Sequence, residues 1–327
     1  MSTNTKPKGL ADKAMLVSLT ISQWVINVAD RAATLQFSND HSVNQNSCTV
    51  RKRLLPRKGA VVKLQTAVSA LRKYHSHMTL PWTKGVGILP SSKYTEYSSK
   101  MRELINDFKA TKKELIIDYP NLKNEAKQDL NIFWSDMQYP DTNVLDGKFD
   151  VHIDVVPVPQ KGDWRIDLVD DELDKLDQKL EKREEQRIQK ANQELWERLY
   201  EPIKHMVEVL SKDKPKIFKT LITNILDLTA ILPDLNLTED PKLEDLRIKI
   251  EDQLCEFSVT ELKESPFLRE KVAEKAEEIR QKIKQDGGIT DDDVIELMSG
   301  YTGNEIIKEF GEPVVGQNKI DFKEDKQ

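Results

Sequence analysis

The stretch from Asp170 to Leu210 constrains the fold of this chain more than any other. It contains no glycine, its only proline is Pro202, and its apolar residues recur at steps of three and four. This spacing predicts one amphipathic helix of about 40 residues, about 60 Å long at 1.5 Å per residue. The apolar stripe is broken across Glu181–Arg187, so we expect the middle of the helix to face solvent or a charged partner. The stripe consists of Leu173, Leu176, Leu180, Ile188, Ala191, Leu195, Leu199, Ile203, Met206 and Leu210.

The clearest β-strand pattern lies in residues 149–169. Apolar and polar residues alternate from Phe149 to Val155, and again from Asp163 to Leu168 after the turn-forming segment Pro157–Gly162. Alternation with period two predicts a β-hairpin with one buried face and one solvent-exposed face.

Elsewhere the pattern is mostly helical. Residues 15–24 alternate like a strand at their start, although a helix over residues 22–33 is equally compatible. The prolines and glycines of residues 79–90 predict an ordered loop, and Pro120 predicts the end or a kink of the helix that follows Ser91. Residues 217–232 predict a core helix that buries Phe218.

We therefore expect a mainly α fold with a small antiparallel β element (α+β). Its helical body would be elongated and would contain a long antiparallel helix pair or a coiled-coil-like segment. The predicted regions are a flexible arm (1–14), a basic N-terminal region (15–148), the β-hairpin (149–169), an acidic helical region (170–311) and a loose tail (312–327).

Charge divides the chain by position. Residues 1–110 carry 17 Lys and Arg against 6 Asp and Glu, whereas residues 111–327 carry 33 against 50. Two surfaces of opposite charge favour different partners. The cysteines Cys48 and Cys255 form no paired motif, and no apolar run approaches the roughly 18–20 residues of a membrane span. These features predict a cytoplasmic protein with reduced thiols.

Basic residues are concentrated between residues 51 and 73, and aromatic residues lie close to them in sequence. Cations of this kind bind phosphates, and Trp82 with its tyrosine neighbours Tyr74, Tyr94 and Tyr97 could stack on exposed bases. The same cations could instead neutralise acidic surfaces of this or another subunit. The candidate residues for a nucleic acid or an acidic partner are Arg51, Lys52, Arg53, Arg57, Lys58, Lys63, Arg72, Lys73 and Trp82.

No pattern predicts catalysis. Alternation places Asp150, His152 and Asp154 on one strand face, which resembles a metal site but equally a solvent-exposed face. Residues 85–87 (Gly-Val-Gly) lack the third glycine and the Lys-Ser/Thr of phosphate-binding loops. We predict no catalytic residue, no metal and no cofactor, with a metal-dependent hydrolase as the minor alternative.

Three segments together resemble a known family: MLVSLTISQW (residues 15–24), TLPWTKGVGILP (79–90) and VPVPQKGDWR (156–165). They are similar to an uncharacterised family of phages and integrative elements, encoded near MoxR/CobS-type AAA+ ATPases and von Willebrand A-domain proteins. The resemblance covers roughly residues 15–230. The family pattern continues after the tryptophan as Gly-Arg-Lys-x-Asp, whereas this chain has VINVAD at residues 25–30.

The resemblance implies a context rather than an activity. We expect a non-enzymatic interaction or scaffold protein of a phage or mobile-element complex in a bacterial cell. It would form a homo-oligomer through its helices and could be the partner of an AAA+ ATPase or of a von Willebrand A-domain protein. The alternative is a nucleic-acid-binding accessory factor that binds DNA during recombination or processing through the basic residues.

Overall fold

The computed structural model describes residues 9–44, 46–160 and 170–289. The helices in these ranges are Leu10–Lys13 (α1), Arg31–His41 (α2), Gly59–Met78 (α3), Tyr94–Leu130 (α4), Thr142–Asp146 (α5), Asp170–Leu210 (α6), Thr220–Leu235 (α7), Pro241–Leu254 (α8), Val259–Glu264 (α9) and Pro266–Gly287 (α10). The strands are Ala14–Ser22 (β1), Asn27–Ala29 (β2), Arg51–Arg53 (β3), Leu80–Thr83 (β4), Val86–Pro90 (β5) and Asp150–Pro157 (β6). The predicted fold class, mainly α with small antiparallel β elements, is confirmed.

The larger sheet has the order β4-β5-β1-β6, and all its strand pairs are antiparallel. Strand β1 is central: Leu16 lies between Ile88 of β5 and Val156 of β6. Val17 is fully buried, as expected for a strand with neighbours on both edges. The strand prediction for residues 15–24 is thus confirmed, and helix α2 begins only at Arg31.

Strand β6 is the first arm of the predicted hairpin. It pairs with β1 from Asp150 opposite Ser22 to Pro157 opposite Met15. The predicted second arm, residues 163–168, lies outside the described residues, so the hairpin itself stays a prediction.

The ordered loop predicted for residues 79–90 is instead the β4–β5 hairpin. Gly85, with φ of +76°, occupies the turn in the left-handed region. Gly87 lies against Thr79, where a Cβ atom would come within 2.7 Å of the threonine side chain. The prolines that suggested a loop lie at tolerated positions, because Pro81 is on an edge strand and Pro90 ends β5.

Helices α3 and α4 form an antiparallel pair, since Lys58 at the start of α3 contacts Glu125 late in α4, and His75 contacts Tyr97. The predicted helix end at Pro120 is wrong, because α4 continues to Leu130, whereas the alternative of a kink stays a prediction. Tyr119 and Leu122, on either side of the proline, are buried, and their packing offsets the lost backbone hydrogen bond.

Helix α6 has the predicted bounds, and its two halves differ. Up to Lys190 most of its side chains are exposed or half-buried, whereas Leu195, Leu199 and Met206 are fully buried. The C-terminal half packs antiparallel to α10: Lys284 of α10 lies over the Tyr200 ring, and Gly287 lies against Trp196.

The prediction that Phe218 is buried is wrong, because this side chain is 67% exposed. Helix α7 begins only at Thr220, so the helical periodicity does not set the direction of Phe218.

Candidate interaction surface

The predicted basic residues begin on a short ribbon formed by β2 and β3, in which Val28 pairs with Lys52. Lys52 turns inward, and its Nζ lies 2.7 Å from Asp30 Oδ2 and also donates to the Phe133 carbonyl oxygen. Both members of this ion pair are nearly buried. Asp30 also caps α2 by accepting from the Ala33 N–H, and this bond, followed by the Lys52 contact, lowers the pKa of Asp30. Lys52 therefore stabilises the fold and is not available to a ligand.

The other two cations of the ribbon lie on its opposite face. Arg51 and Arg53 alternate with Lys52, so their side chains leave the strand on the same side. Arg51 is exposed and donates from Nη2 to the Asn27 carbonyl oxygen at 2.8 Å. Arg53 is half-buried, and burial, followed by the charge of the nearby exposed Arg57, lowers its pKa. We call Arg51, Arg53 and Arg57 the arginine surface.

One nitrogen of Arg53 is unusual. Its Nη1 atom is buried and has no hydrogen-bond partner among the residues that the structure describes. A buried donor without a partner costs about 1–3 kcal/mol, more when the group is charged. Because this nitrogen is also shielded from solvent, an anionic oxygen of a partner reaches it only if the Arg53 side chain turns outward.

The lysines of α3 are paired with acids of α4. Lys58 Nζ lies 2.7 Å from Glu125 Oε2, and Lys63 Nζ lies 2.7 Å from Glu114 Oε2. The interpretation that basic residues neutralise acidic ones is thus supported for these lysines, within one subunit. Both pairs are exposed, so they reduce the local positive field more than they stabilise the fold.

Arg72 and Lys73 lie near the far end of α3. Lys73 lies fifteen positions after Lys58, a distance of roughly 22 Å along the helix axis. The structure therefore does not bring all the predicted basic residues together.

The predicted base-stacking role of Trp82 is contradicted by its burial. Its side chain is only 6% exposed, and the Arg187 guanidinium lies 5.1 Å from the ring centroid. Tyr97 is also buried, and its hydroxyl lies 2.8 Å from His75 Nδ1. Of the four aromatic residues named for stacking, Tyr94 is the most exposed.

Metal-binding geometry is absent from the described ranges, which hold no group of three His, Cys, Asp or Glu side chains able to bind an ion. On the exposed face of β6, His152 Nε2 and Asp154 Oδ1 are hydrogen-bonded at 2.8 Å. Burial lowers the pKa of His75 to about 4, so this imidazole is neutral at pH 7, and burial also lowers the pKa of His77.

A shallow groove of about 420 Å³ lies beside the ribbon and was not predicted. Its lining includes Trp24, Val25 and Leu54, with Lys148 at one side. Trp24 contacts the Tyr139 ring edge-on at 6.1 Å. The alternation of residues 15–24 predicts a strand, but no local pattern places its end against Tyr139, which is more than 100 positions away.

No helix in the described ranges is long and apolar enough to span a membrane. No protein-family model matches the chain, and no curated protein or solved structure shows significant similarity to it.

Proposed function

We propose that this chain is a non-enzymatic interaction protein whose arginine surface docks carboxylates of an acidic protein partner. The observation that carries the proposal is the placement of Arg51 and Arg53 on the ribbon face opposite the ion-paired Lys52, with the charge of Arg57 beside them. A guanidinium binds a carboxylate through two parallel hydrogen bonds, which makes arginine well suited to docking carboxylates.

A protein partner fits better than a nucleic acid. Single-strand binders combine cations with exposed aromatic rings, whereas Trp82 and Tyr97 are buried here. Ion pairs also remove Lys52, Lys58 and Lys63 from the set of cations that phosphates could use. A DNA-binding accessory factor remains the second candidate, because phosphate oxygens could also accept from Arg53.

The resemblance supplies candidates for the partner. A MoxR-type AAA+ ATPase or a von Willebrand A-domain protein would be docked in a phage or mobile-element complex, and this chain would serve as its homo-oligomeric scaffold. Because the acidic half of this chain is a further source of carboxylates, a second copy could also supply them.

Binding of fluorescently labelled polyglutamate tests the proposal, with labelled single- and double-stranded DNA oligonucleotides as competing probes over a salt series. We expect polyglutamate to bind at low salt, because closely spaced arginine cations attract its carboxylates. Replacing Arg51, Arg53 and Arg57 with serine should weaken this binding by about tenfold or more, equivalent to at least about 1.4 kcal/mol.

The matched control replaces Lys58 and Lys63, which carry the same positive charge but are already ion-paired, with serine. Its polyglutamate affinity should stay within about twofold of the parent. Oligonucleotide binding that exceeds polyglutamate binding and depends on the three arginines would favour the DNA-binding alternative. Absence of binding to every probe at low salt would contradict both.

A further inference from the structure

The groove beside the ribbon rests on a packed aromatic cluster. The Trp24 ring, which lines the groove, meets Tyr119 and Tyr139 edge-on with centroids 6.0 and 6.1 Å apart, and Trp134 stacks on Tyr139 at 4.0 Å. The Tyr139 hydroxyl donates to the carbonyl oxygen of Leu54, a second lining residue, at 2.8 Å. Because these side chains are already ordered, little conformational entropy is lost when a ligand contacts them.

Large apolar side chains are exposed at this groove. Val25, which lines it, is 59% exposed, and Met137, which directly precedes the lining residue Gln138, is 98% exposed. Trp24 and Val28 add half-buried apolar surface. Apolar side chains gathered at a concave site mark a binding surface, unlike single ones scattered over a protein. The volume of about 420 Å³ is near the lower end for ligand sites, so the groove suits a side chain rather than a cofactor.

The groove also carries a positive charge. Among the described residues that line it, Lys148 is the only charged one, and it is exposed. Two acids that are next or nearly next in sequence to lining residues contact lysines of α4: Asp136 Oδ1 lies 3.0 Å from Lys123 Nζ, and Asp146 Oδ1 lies 3.0 Å from Lys112 Nζ. The groove therefore offers apolar surface with one cation beside it.

We propose that this groove receives one large apolar side chain, such as leucine, from an acidic segment of the protein partner, while a neighbouring carboxylate of that segment pairs with Lys148. The inference deepens the docking proposed above and rests on it for the acidic character of the partner. Charge complementarity supports this occupant, because the same ribbon carries Arg51 and Arg53 on its other face. Val28 pairs with Lys52 and so lies on the face opposite the arginines. The partner segment would pass the edge of the ribbon to contact both faces.

The two surfaces would contribute differently to binding. Exposed cations attract any acidic segment, and salt weakens this attraction. An apolar side chain buried against Trp24 and Val25 selects one position along the segment and contributes binding energy that salt does not screen. A partner segment should therefore contain both carboxylates and a large apolar residue, and a purely acidic segment should bind less tightly.

The experiment measures the binding of fluorescently labelled peptides to the full chain by anisotropy. Two short polyglutamate peptides differ only in the central residue, which is leucine in one and serine in the other. We expect the leucine peptide to bind at least about fivefold more tightly, because leucine buries apolar surface in the groove and serine does not. A third peptide, with glutamines on both sides of the leucine, should bind more weakly than the leucine peptide, because it has no carboxylate for Lys148.

Two variants with matched controls locate the contact. Val25→Asn should reduce the advantage of leucine over serine to less than about twofold, whereas Val144→Asn should retain it, because Val144 is 55% exposed but does not line the groove. Lys148→Gln should weaken binding of the leucine peptide by about threefold or more. Lys100→Gln, which removes the same charge from an exposed ion pair with Glu103, should leave that affinity within about twofold of the parent.

Three results would overturn the proposal. The first is equal binding of the leucine and serine peptides to the parent, or a leucine advantage that persists in Val25→Asn. The second is equal binding of the glutamine-flanked and glutamate-flanked leucine peptides, which would reject an acidic occupant. The third is a dimer, detected by sedimentation, that Val25→Asn dissociates, because the groove would then belong to a second copy of this chain.

The serine peptide separates this inference from the docking on the arginine surface. If this peptide binds through Arg51, Arg53 and Arg57 but leucine adds no affinity, only the groove is rejected. If replacing the three arginines leaves the binding of both peptides unchanged while Val25→Asn still removes the leucine advantage, the arginine surface is rejected and the groove is supported.

Discussion

The ribbon and the α3–α4 helix pair share one basic stretch of sequence but use its cations in opposite ways. On the ribbon, Arg51 and Arg53 leave the strand on the face opposite Lys52, and Arg53 has a buried donor without a partner in the described part of the chain. On the helix pair, Lys58 and Lys63 contact glutamates of α4. A run of cations in sequence is therefore not one surface: the backbone alternation of the ribbon and the antiparallel helix packing decide which charges remain for a ligand.

The inward-facing cation should give the largest effect on stability. Replacing Lys52 with methionine leaves the Asp30 carboxylate nearly buried without its ion-pair partner. We expect a loss of about 3 kcal/mol in the free energy of unfolding, measured by urea denaturation. Adding Asp30→Asn should recover more than half of the loss, because asparagine still caps α2 and carries no charge. A loss below about 1 kcal/mol for the single change would show that the pair is not buried in solution.

The buried imidazole of His75, between α3 and α4, should give the next largest effect on stability. Because burial lowers the pKa of His75 to about 4, its protonation opposes folding. The unfolded state takes up the proton near pH 6.5, so stability should fall as the pH decreases from about 6.5 to 4, by about 2 kcal/mol once partial exposure is allowed for. His75→Gln should flatten this slope in urea titrations at several pH values. An unchanged slope would mean that a group other than His75 causes the pH dependence of stability.

The exposed ion pairs between α3 and α4 should contribute much less to stability. The joint replacement of Lys58 and Lys63 by serine should cost at most about 1 kcal/mol, because exposed pairs contribute little. Thermal denaturation at low and high salt would measure this loss of stability. The difference from the parent protein should shrink at high salt. A larger, salt-independent loss would mean that the lysine side chains stabilise the hairpin by packing.

Arg53 should show the smallest stability effect and a clear binding effect. Arg53→Gln removes a half-buried charge whose Nη1 has no partner in the described ranges, so the free energy of unfolding should change by less than about 0.5 kcal/mol. Its affinity for polyglutamate should nevertheless fall. A marked destabilisation would indicate that the guanidinium is structural.

Local periodicity predicted the elements that local sequence controls. Helix α6 has the predicted bounds, and β1 and β6 lie where alternation placed them. The β4–β5 hairpin was missed because its pairing with β1 offsets prolines and glycines that indicate a loop locally. The helix end expected at Pro120 was wrong because the packing of Tyr119 and Leu122 was not visible in the sequence.

The arginine surface was only partly predictable. Composition identified the basic stretch, but the acids that remove Lys52, Lys58 and Lys63 from it lie between 22 and 67 positions away in sequence. Strand alternation would have placed Lys52 on the face opposite Arg51 and Arg53, if the three-residue strand β3 had been recognised in the sequence. No local signal predicts the burial of Trp82, which depends on Arg187 and on helix α6.

The position of β1 in the sheet also has a consequence for how the protein is made. The strand occupies residues 14–22, yet its two neighbours end only at residues 90 and 157. At about 5–20 residues per second on a ribosome, β1 would wait on the order of ten seconds for its last partner. During synthesis the α3–α4 hairpin can form first from neighbouring segments, and the strand at the centre of the sheet is completed only after it.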